Sequence, residues 1–416
     1  MASGRNKTPY FVRPRTAVLT RGFDPKLSVG SARPAVFRSS TFVFSSPEAA
    51  ERAFRVALGR SAASDGENID LIYSRLSHPN AEILEDQITP LEPRAVDAAV
   101  FNSGMAAIST LFLQLCPPGS AFVYTTPIYG GTQHLIHQVL EPLGIRAIAA
   151  PAGDARAIAQ AIETTPNLRL VLIETPANPT LIMTDIADAV LATRRKGAER
   201  PLVAVDNTFM GPVFQHPLEL GADITVYSAT KFLGGHSDIL AGVILASDRA
   251  IIDSLRGMRA VLGNILQPDE CWILDSRLPS VDLRMSRQSK NAEKIVQALA
   301  DHPKITQLIF PTRFPDPAQL SIYNRQCSGP GSVIAIDLGS KAAAFDFLRR
   351  LKITKNAVSL GGIESLACHP ATTTHSELSA EELSKTGVTP GLVRISVGVE
   401  DARDLASEYV SALDAL

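Results

Sequence analysis

The sequence predicts an α/β protein whose main domain is a mostly parallel sheet covered by helices on both faces. From about residue 95, short apolar runs alternate with helix-like segments, a pattern typical of parallel strands joined by helical crossovers. The length of 416 residues suggests two or three domains with enough core to need no disulfide or metal. Apolar residues make up 45% and charged residues 20%, as in ordinary globular proteins.

The first 68 residues are expected to form an N-terminal arm. Five prolines interrupt this segment, and one stretch, SPEAAERAFRVAL, has the pattern of a helix with Ser46 at its N-cap. Two interpretations remain open: an arm that lies on another subunit or domain, and a loosely attached tail.

The main sheet is predicted to follow this arm, in a domain at residues 69–277. Its strands are short apolar runs bounded by turn residues. The predicted strands are residues 95–101, 121–126, 145–150, 169–174, 201–206 and 223–229. Helix-like segments such as MAAISTLFLQL and DARAIAQAIETT lie between them. Ligands of such sheets bind beyond the carboxyl ends of the strands.

A smaller α/β domain is predicted at residues 278–416. Two strand-like runs, GSVIAIDL and VRISVG, alternate there with three helix-like segments. The predicted helices are SKNAEKIVQALADH, KAAAFDFLRRL and DARDLASEYVSALDAL.

Composition and termini predict a cytoplasmic protein. The formal charge is -2, which argues against a general binder of nucleic acid or membrane surfaces. The basic N-terminus lacks the apolar segment of a secretory signal, and no run reaches the roughly 18 apolar residues of a membrane helix. Four scattered cysteines without a CxxC pair favour a reducing compartment and disfavour a thiolate zinc site.

The most informative stretch is residues 203–244, where two apolar strands each end in polar residues. Asp206 ends the first strand, and Ser228, Thr230 and Lys231 follow the second. Because parallel strands end at the same edge of a sheet, these side chains are expected to face one ligand. Taken singly, such a lysine is usually a solvated surface residue, and such an aspartate is usually a turn or cap residue.

Pyridoxal phosphate requires this set of groups. A lysine amine bonds to the cofactor aldehyde, and a carboxylate keeps the pyridine nitrogen protonated. Hydroxyls and backbone N–H groups hold the phosphate, preferably at a helix N-terminus. Ser103 and Gly104 precede a predicted helix and could form such an anion site, although Asn102 or Ser103 could equally be an ordinary N-cap. Tyr129 follows a strand and could stack on a planar cofactor or pack in the core.

Eight motifs in order resemble the pyridoxal-phosphate-dependent transsulfuration family, which includes cystathionine γ-synthase, cystathionine lyases, methionine γ-lyase and O-acetylhomoserine sulfhydrylase. The resemblance extends from about residue 28 to the C-terminus. The motifs are IYSRLSHPN (72–80), NSGMAAI (102–108), PIYGGT (127–132), ETPANPT (174–180), VAVDNTF (203–209), SATKFLGGHSD (228–238), SLGGIESL (359–366) and GLVRISVGVED (391–401). Each motif is weak alone, but their common order is highly specific.

The resemblance implies a type I aminotransferase-like fold and a carbon–sulfur lyase or γ-replacement transferase of amino-acid metabolism that uses pyridoxal 5'-phosphate. Residues 69–277 would then be the cofactor-binding domain. Lys231 resembles the family's Schiff-base lysine, and Asp206 resembles its partner to the pyridine nitrogen. The residues that resemble the phosphate-binding groups are Gly104, Met105, Ser228 and Thr230.

The remaining matches imply further roles. Tyr73 and Arg75 resemble a pair that reaches the phosphate from the neighbouring subunit, which implies an active dimer, usually within a homotetramer. Tyr129 resembles the ring that stacks on the cofactor and helps to activate the leaving group, and Asn178 resembles the contact to the cofactor's 3'-oxygen. The clamp for the substrate α-carboxylate is matched by Ser359 and Arg394.

The motifs do not choose between γ-elimination and γ-replacement, which use the same residues. Cystathionine γ-synthases and γ-lyases typically carry Glu where this chain has Val358, and the apolar residue resembles methionine γ-lyase, as does HPATTTH (369–375). Methionine γ-lyases usually carry Cys where this chain has Gly131, and the insert 61–70 could reshape the entrance.

We therefore predict γ-elimination from a methionine-type amino acid through a vinylglycine intermediate. The alternative is γ-replacement on an O-acylhomoserine or on S-adenosylmethionine, with a thiol or carbon nucleophile.

Other classes fit less well. A nicotinamide oxidoreductase is disfavoured because the sequence has no GxGxxG, and a phosphate-loop hydrolase because it has no GK dipeptide. The sequence lacks HExxH and clustered histidines, so no metal is expected. A non-catalytic scaffold is disfavoured because the key matching residues are retained together, namely Lys231, Asp206, Tyr129 and Arg394.

Overall fold

Two β-sheets organise residues 13–64 and 67–416, which are the residues that the computed structural model describes. The strands are β1 Asp97–Phe101, β2 Ala121–Thr126, β3 Arg146–Pro151, β4 Leu168–Glu174, β5 Leu202–Asp206, β6 Ile224–Ser228, β7 Gly242–Ala246, β8 Gln307–Ile309, β9 Val333–Asp337, β10 Lys355–Asn356, β11 Leu366–Cys368 and β12 Leu392–Ser396.

Helices surround both sheets. The α-helices are α1 Pro14–Thr20, α2 Pro47–Ala57, α3 Pro79–Ile88, α4 Gly104–Leu115, α5 Gly130–Leu135, α6 Ala155–Thr164, α7 Ile186–Arg194, α8 Gly211–Phe214, α9 Arg249–Leu262, α10 Pro268–Arg277, α11 Val281–Leu299, α12 Pro317–Gln326, α13 Lys341–Arg350, α14 Ala380–Lys385 and α15 Ala402–Asp414. A π-helical turn, Ile136–Leu140, continues α5. Short 3₁₀ turns lie at Pro25–Ser28, Thr89–Leu91, Gly197–Glu199, Leu278–Ser280, Pro311–Arg313 and Pro370–Thr372.

The large sheet has the strand order β1-β7-β6-β5-β4-β2-β3. Its neighbours from β3 to β6 pair in parallel, whereas β7 runs antiparallel to both β6 and β1. The six strands predicted from the sequence are present. The sequence does not predict β7, because this strand returns from the loop after β6 without a helical crossover and so breaks the strand–helix alternation.

Alternate residues of one strand serve two different apolar layers. In β4, Leu170 and Leu172 pack with α4 and α9, whereas Val171 and Ile173 pack with α6 and α7. This division follows from the two-residue period of a strand, which sends successive side chains to opposite faces. Burial on both faces explains the continuous apolar runs in the sequence and confirms the predicted helix-covered sheet.

The C-terminal sheet has the order β10-β11-β12-β9-β8. Helices α11, α13 and α15 pack on it through a core that includes Ile334, Phe347 and Tyr409. Helix α11 begins at Val281, well before the predicted start at Ser289. The prediction of this helix start was wrong because its first turns bury polar side chains, which hide the helical period of apolar residues.

The N-terminal arm contains α2, with the predicted cap: the Ser46 hydroxyl accepts from Ala49 N. It also contains α1, which the sequence does not predict. Residues 33–38 are fastened to α10: the Trp272 indole donates to Pro34 O at 2.9 Å, and Arg38 pairs with Asp269 at 2.6 Å. This segment therefore lies against the large domain. The domain boundaries at residues 68 and 277 stay predictions.

No helix in the described parts of the chain has both the length and the apolar character to cross a membrane.

Candidate active site

The carboxyl ends of three parallel strands meet at one edge of the large sheet. Strand β4 ends at Glu174, β5 at Asp206 and β6 at Ser228. The register places Glu174 directly beside Asp206. Tyr129, which follows β2, is tied to this edge because its N–H donates to Glu174 Oε2 at 2.9 Å. The structure thus brings together residues that are far apart in sequence.

Lys231 lies in the lysine turn, residues 229–235, which follows β6. Its backbone N–H donates to Ser228 O at 3.0 Å, and its Nζ donates to Ser359 Oγ at 3.1 Å. Burial lowers the pKa of Lys231 below its ordinary value, and the nearby Arg394 charge lowers it further. The amine is therefore neutral at a lower pH than a surface lysine, as a nucleophile or base requires.

Asp206 and Glu174 form a pair of neighbouring carboxyl groups. The backbone N–H and the hydroxyl of Thr208 donate to Asp206 Oδ1, at 3.0 and 2.6 Å. Burial raises the pKa of both carboxyls, and the charge of Asp206 raises the pKa of Glu174 further. Ionising one group therefore opposes ionising the other. Glu174 is a site residue that the sequence predictions missed, although its place at the end of β4, beside the strand of Asp206, was an available signal.

The first turn of α4 lies against the end of β6. Ser103 is the N-cap, since its hydroxyl accepts from Ala106 N at 3.0 Å, which decides between the two cap candidates. A Cβ on Gly104 would lie 2.9 Å from the Ser228 Cβ. Only glycine allows this approach, which brings the free N–H groups of the α4 start beside the Ser228 hydroxyl.

Met105 and Tyr129 border the same edge. A Cβ on Gly131 would lie 2.7 Å from a Tyr129 ring carbon and 3.1 Å from the Met105 sulfur. The Tyr129 side chain is 43% exposed, so its ring does not pack in the core. A planar ligand at the edge could therefore reach the ring.

Thr230 uses its hydroxyl within the protein. The Thr230 Oγ1 accepts from Ala241 N at 3.0 Å and lies 3.3 Å from Ala241 O. These bonds fasten the lysine turn to the segment that leads into β7. A contact from Thr230 to a phosphate stays a prediction.

Arg394 enters the site from strand β12 of the C-terminal sheet. Its side chain is buried, with Nη1 donating to Asn178 Oδ1 at 2.9 Å and Nη2 donating to the carbonyls of Val358 and Ser359 at 2.9 and 3.0 Å. No carboxylate forms an ion pair with Arg394 in residues 13–64 and 67–416, and its buried Nε lacks a hydrogen-bond partner there. The surface salt bridge that would be the ordinary role of an arginine is absent from this part of the chain, so the buried guanidinium is suited to bind an anion.

Asn178 links the two sheets at this site. Its backbone N–H donates to Glu174 Oε1 at 2.9 Å, and its carbonyl lies 3.1 Å from His375 Nε2. Burial and the Arg394 charge lower the pKa of His375 to about 4, so His375 is neutral and donates to the carbonyl. In the sequence, His375 stands out only as the end of HPATTTH. Its burial was the missing information.

Tyr73 and Arg75 contact other parts of the chain. Arg75 Nη1 donates to Ala260 O at 2.6 Å, and its guanidinium carbon lies 5.8 Å from the centre of the Tyr73 ring. Within the described residues, neither side chain bonds to Lys231 or Ser228. The prediction that this pair acts in a neighbouring subunit is untested by a single chain.

Val358 lies beside the clamp at the surface. It is 56% exposed, and its carbonyl accepts from Arg394 Nη2. The described part of the chain contains no group of three His, Cys, Asp or Glu side chains that could hold a metal ion.

Comparisons with known proteins agree with this geometry. The family model described as "Cys/Met metabolism PLP-dependent enzyme" matches residues 15–414. The chain is 36% identical over 417 residues to L-methionine gamma-lyase of Pseudomonas putida, covering 99% of each protein. It is 38% identical over 349 residues to cystathionine gamma-lyase of Bacillus subtilis, covering 84% of this chain and 90% of that protein.

A solved structure is similar over nearly the whole chain. Cystathionine gamma synthase from Xanthomonas oryzae pv. oryzae, crystallised with cystathionine, matches with a TM-score of 0.87 at 30% identity, covering 98% of this chain and 100% of that chain. The predicted type I fold, with its second, smaller sheet domain, is confirmed. The family match confirms the predicted cofactor, pyridoxal phosphate. The chain therefore belongs to the pyridoxal-phosphate-dependent enzymes of cysteine and methionine metabolism.

Proposed function

We propose that this enzyme eliminates the γ-substituent of a methionine-type amino acid. The observation that carries the proposal is the Lys231 amine, which has a lowered pKa and lies 3.1 Å from the hydroxyl of Ser359, whose carbonyl binds the buried Arg394. A base and a carboxylate-binding group thus stand side by side, as a reaction at the α-carbon of an amino acid requires. The uncharged, exposed Val358 at the rim favours an uncharged side chain.

The residues present fit pyridoxal phosphate. Lys231 would hold the aldehyde end and Asp206 the pyridine nitrogen. The phosphate would lie at the start of α4, where Gly104 leaves room that a Cβ would fill and where Met105 and Ser228 supply further contacts. The bound cofactor supplies an electron sink for a carbanion at the α-carbon of the substrate.

The chain's own groups then have distinct tasks. Arg394 binds the substrate carboxylate. It is suited to this because its Nε has no partner and its charge has no ion pair among the described residues. Lys231 accepts and returns protons, with Ser359 Oγ orienting its Nζ. The exposed Tyr129 phenol can donate a proton to the departing thiolate, because its main chain is held by Glu174 while its ring faces the edge.

γ-Replacement remains a second candidate. Gly131 lies beside the Tyr129 ring and stands where methionine γ-lyases usually carry Cys, and a solved neighbour is a cystathionine gamma synthase. Incubation with methionine, O-acylhomoserines, cystathionine and S-adenosylmethionine, each with and without a thiol, separates the two. 2-Oxobutanoate from methionine alone supports elimination, whereas product that requires the nucleophile supports replacement. Failure of the purified protein to take up pyridoxal phosphate would contradict both.

We also propose that Tyr73 and Arg75 complete the site of a partner subunit, in a homodimer or a homotetramer of two such dimers. Support comes from the arm, where apolar side chains lie exposed in the single chain. Among them are Val29, Val43, Phe54 and Leu58.

Co-expressed Lys231→Ala and Arg75→Ala chains test the arrangement. If the pair acts in trans, mixed dimers contain one site with both wild-type residues and recover up to half of the wild-type activity per dimer. Mixed dimers as inactive as either parent would contradict it.

A further inference from the structure

Helix α11 buries polar side chains along one face. Arg284, Gln288 and Asn291 are spaced so that they share this face, and they are 8%, 1% and 2% exposed. We call these three residues the polar stripe of α11. Each donates to main-chain carbonyls of segments outside the helix. Buried polar groups are costly unless they are hydrogen-bonded, so three of them on one helix face indicate a specific structural role.

Arg284 holds the lysine turn from behind. Its Nη1 donates to Phe232 O at 2.7 Å and its Nη2 to Leu233 O at 3.0 Å. Gly235 has a φ of +70°, and a Cβ there would overlap the Arg284 guanidinium. The turn that presents Lys231 is thus shaped around this arginine, which forms no ion pair within the described residues.

Gln288 holds the clamp loop, residues 358–363. Its Nε2 donates to Gly362 O at 2.7 Å and to Val397 O at 3.2 Å. Because both neighbours are acceptors, the nitrogen must face them, and the buried Oε1 lacks a partner among the described atoms. Val397 follows β12, the strand of Arg394, so one amide joins the two segments that form the carboxylate clamp.

The lysine turn and the clamp loop, which the polar stripe of α11 holds, also contact each other directly at the candidate site. Ile363 N donates to Gly235 O at 2.9 Å, and a Cβ on Gly361 would lie 2.6 Å from Phe232 N. The Lys231–Ser359 hydrogen bond belongs to this same contact. One rigid helix therefore supports both halves of the site, which come from different sheets.

We propose that Arg284 and Gln288 are positioning residues for the reaction, acting through the main chain. They fix the lysine turn and the clamp loop to one helix and so set the distance between the Lys231 amine and the Arg394 guanidinium. The inference rests on the proposed function for the roles of Lys231 and Arg394. Neither Arg284 nor Gln288 hydrogen-bonds to the Lys231 or Arg394 side chain in the described structure.

Gln288→Met tests this, since methionine has nearly the same length without a donor. The holoenzyme is titrated with L-alanine, an amino acid without a leaving group, and binding is followed by the absorption of the bound cofactor. We expect affinity to fall about tenfold or more, because two carbonyls lose their donor and the clamp loop relaxes. The affinity of the apoprotein for pyridoxal phosphate should change less than threefold, because the contacts at α4 and β5 are intact.

Ile295→Val is the matched control. Ile295 lies on the same helix, fully buried in the C-terminal core, and the truncation lowers stability without touching either segment. We expect its L-alanine affinity to equal that of the wild type. Gln288→Asn keeps the amide on a shorter side chain and should weaken binding less than Gln288→Met, which also provides a variant if Gln288→Met does not fold.

Wild-type affinity for L-alanine in Gln288→Met or, if that variant does not fold, in Gln288→Asn would overturn the positioning role, as would an equal loss in Ile295→Val. A wild-type holoenzyme whose spectrum responds to no amino acid would instead refute the proposed function, and the positioning role with it.

Discussion

Two buried arginines flank the lysine turn: Arg284 lies behind it, and Arg394 lies in the candidate site. They differ in how many of their nitrogens have hydrogen-bond partners. Arg284, behind the turn, donates from all three guanidinium nitrogens, to carbonyls and to the Ser280 hydroxyl. Arg394, in the site, leaves its Nε without a partner among the described residues. Both lack an ion pair within the described structure. Partners on all three nitrogens fit a supporting role for Arg284, whereas an unpartnered Nε on a buried cation that lacks an ion pair among the described residues fits a binding role for Arg394.

Removing Arg394 should have the larger effect on substrate binding. On the proposed function, Arg394→Ala takes away the charge that would bind the substrate carboxylate, at a cost of about 2–5 kcal/mol, so we expect KM to rise roughly a hundredfold or more. The cofactor absorption band should persist, because Lys231, Asp206 and Ser228 are untouched. Steady-state kinetics and absorption spectra check both parts. Loss of the bound cofactor in this variant would show that the clamp assignment is wrong.

Removing Arg284 should weaken substrate binding less and should also lower stability. Arg284→Met leaves the carbonyls of Phe232 and Leu233 without a donor, which should lower the free energy of unfolding by about 1–3 kcal/mol. We expect the affinity for L-alanine to fall about tenfold, less than in Arg394→Ala. Chemical denaturation and the absorption titration measure the two effects. A loss of affinity as large as that of Arg394→Ala would remove the distinction between the two arginines.

The third effect is confined to acidic pH and concerns His375, which supports Arg394 through Asn178. The unfolded histidine binds a proton below its ordinary pKa of 6.5, whereas the folded one does so only near pH 4. The unfolded state therefore gains protons first, and the free energy of unfolding falls as pH drops from 6.5 to 4, by roughly 3 kcal/mol at most.

His375→Gln removes this titration and should flatten the stability profile over that range. Denaturation at several pH values provides the measurement, with the exposed His134→Gln as control. An unchanged slope in His375→Gln would contradict a neutral buried histidine.

The sequence predicts well those features that a local pattern encodes. Strand ends of a parallel sheet share an edge, so the sequence is enough to predict that β5 ends at Asp206 and β6 at Ser228 on one edge, with Lys231 shortly after. His375 and Gln288 were missed because their importance arises from burial and from partners more than 40 positions away, which no periodicity reveals.

Two other gaps have separate causes. Strand β7 was missed because it follows a loop instead of a helix, and the start of α11 was hidden by its own buried polar residues. The proposed roles of Tyr73 and Arg75 involve a second subunit, so they do not follow from contacts within one chain.

The Val358 carbonyl accepts from Arg394 Nη2, while the residue itself is 56% exposed. Because every residue type has the same carbonyl, exchange of this side chain leaves the guanidinium where it is. On the proposed function, a change of this one peripheral side chain would alter which amino acids the site accepts and would leave Lys231 and Arg394 in place.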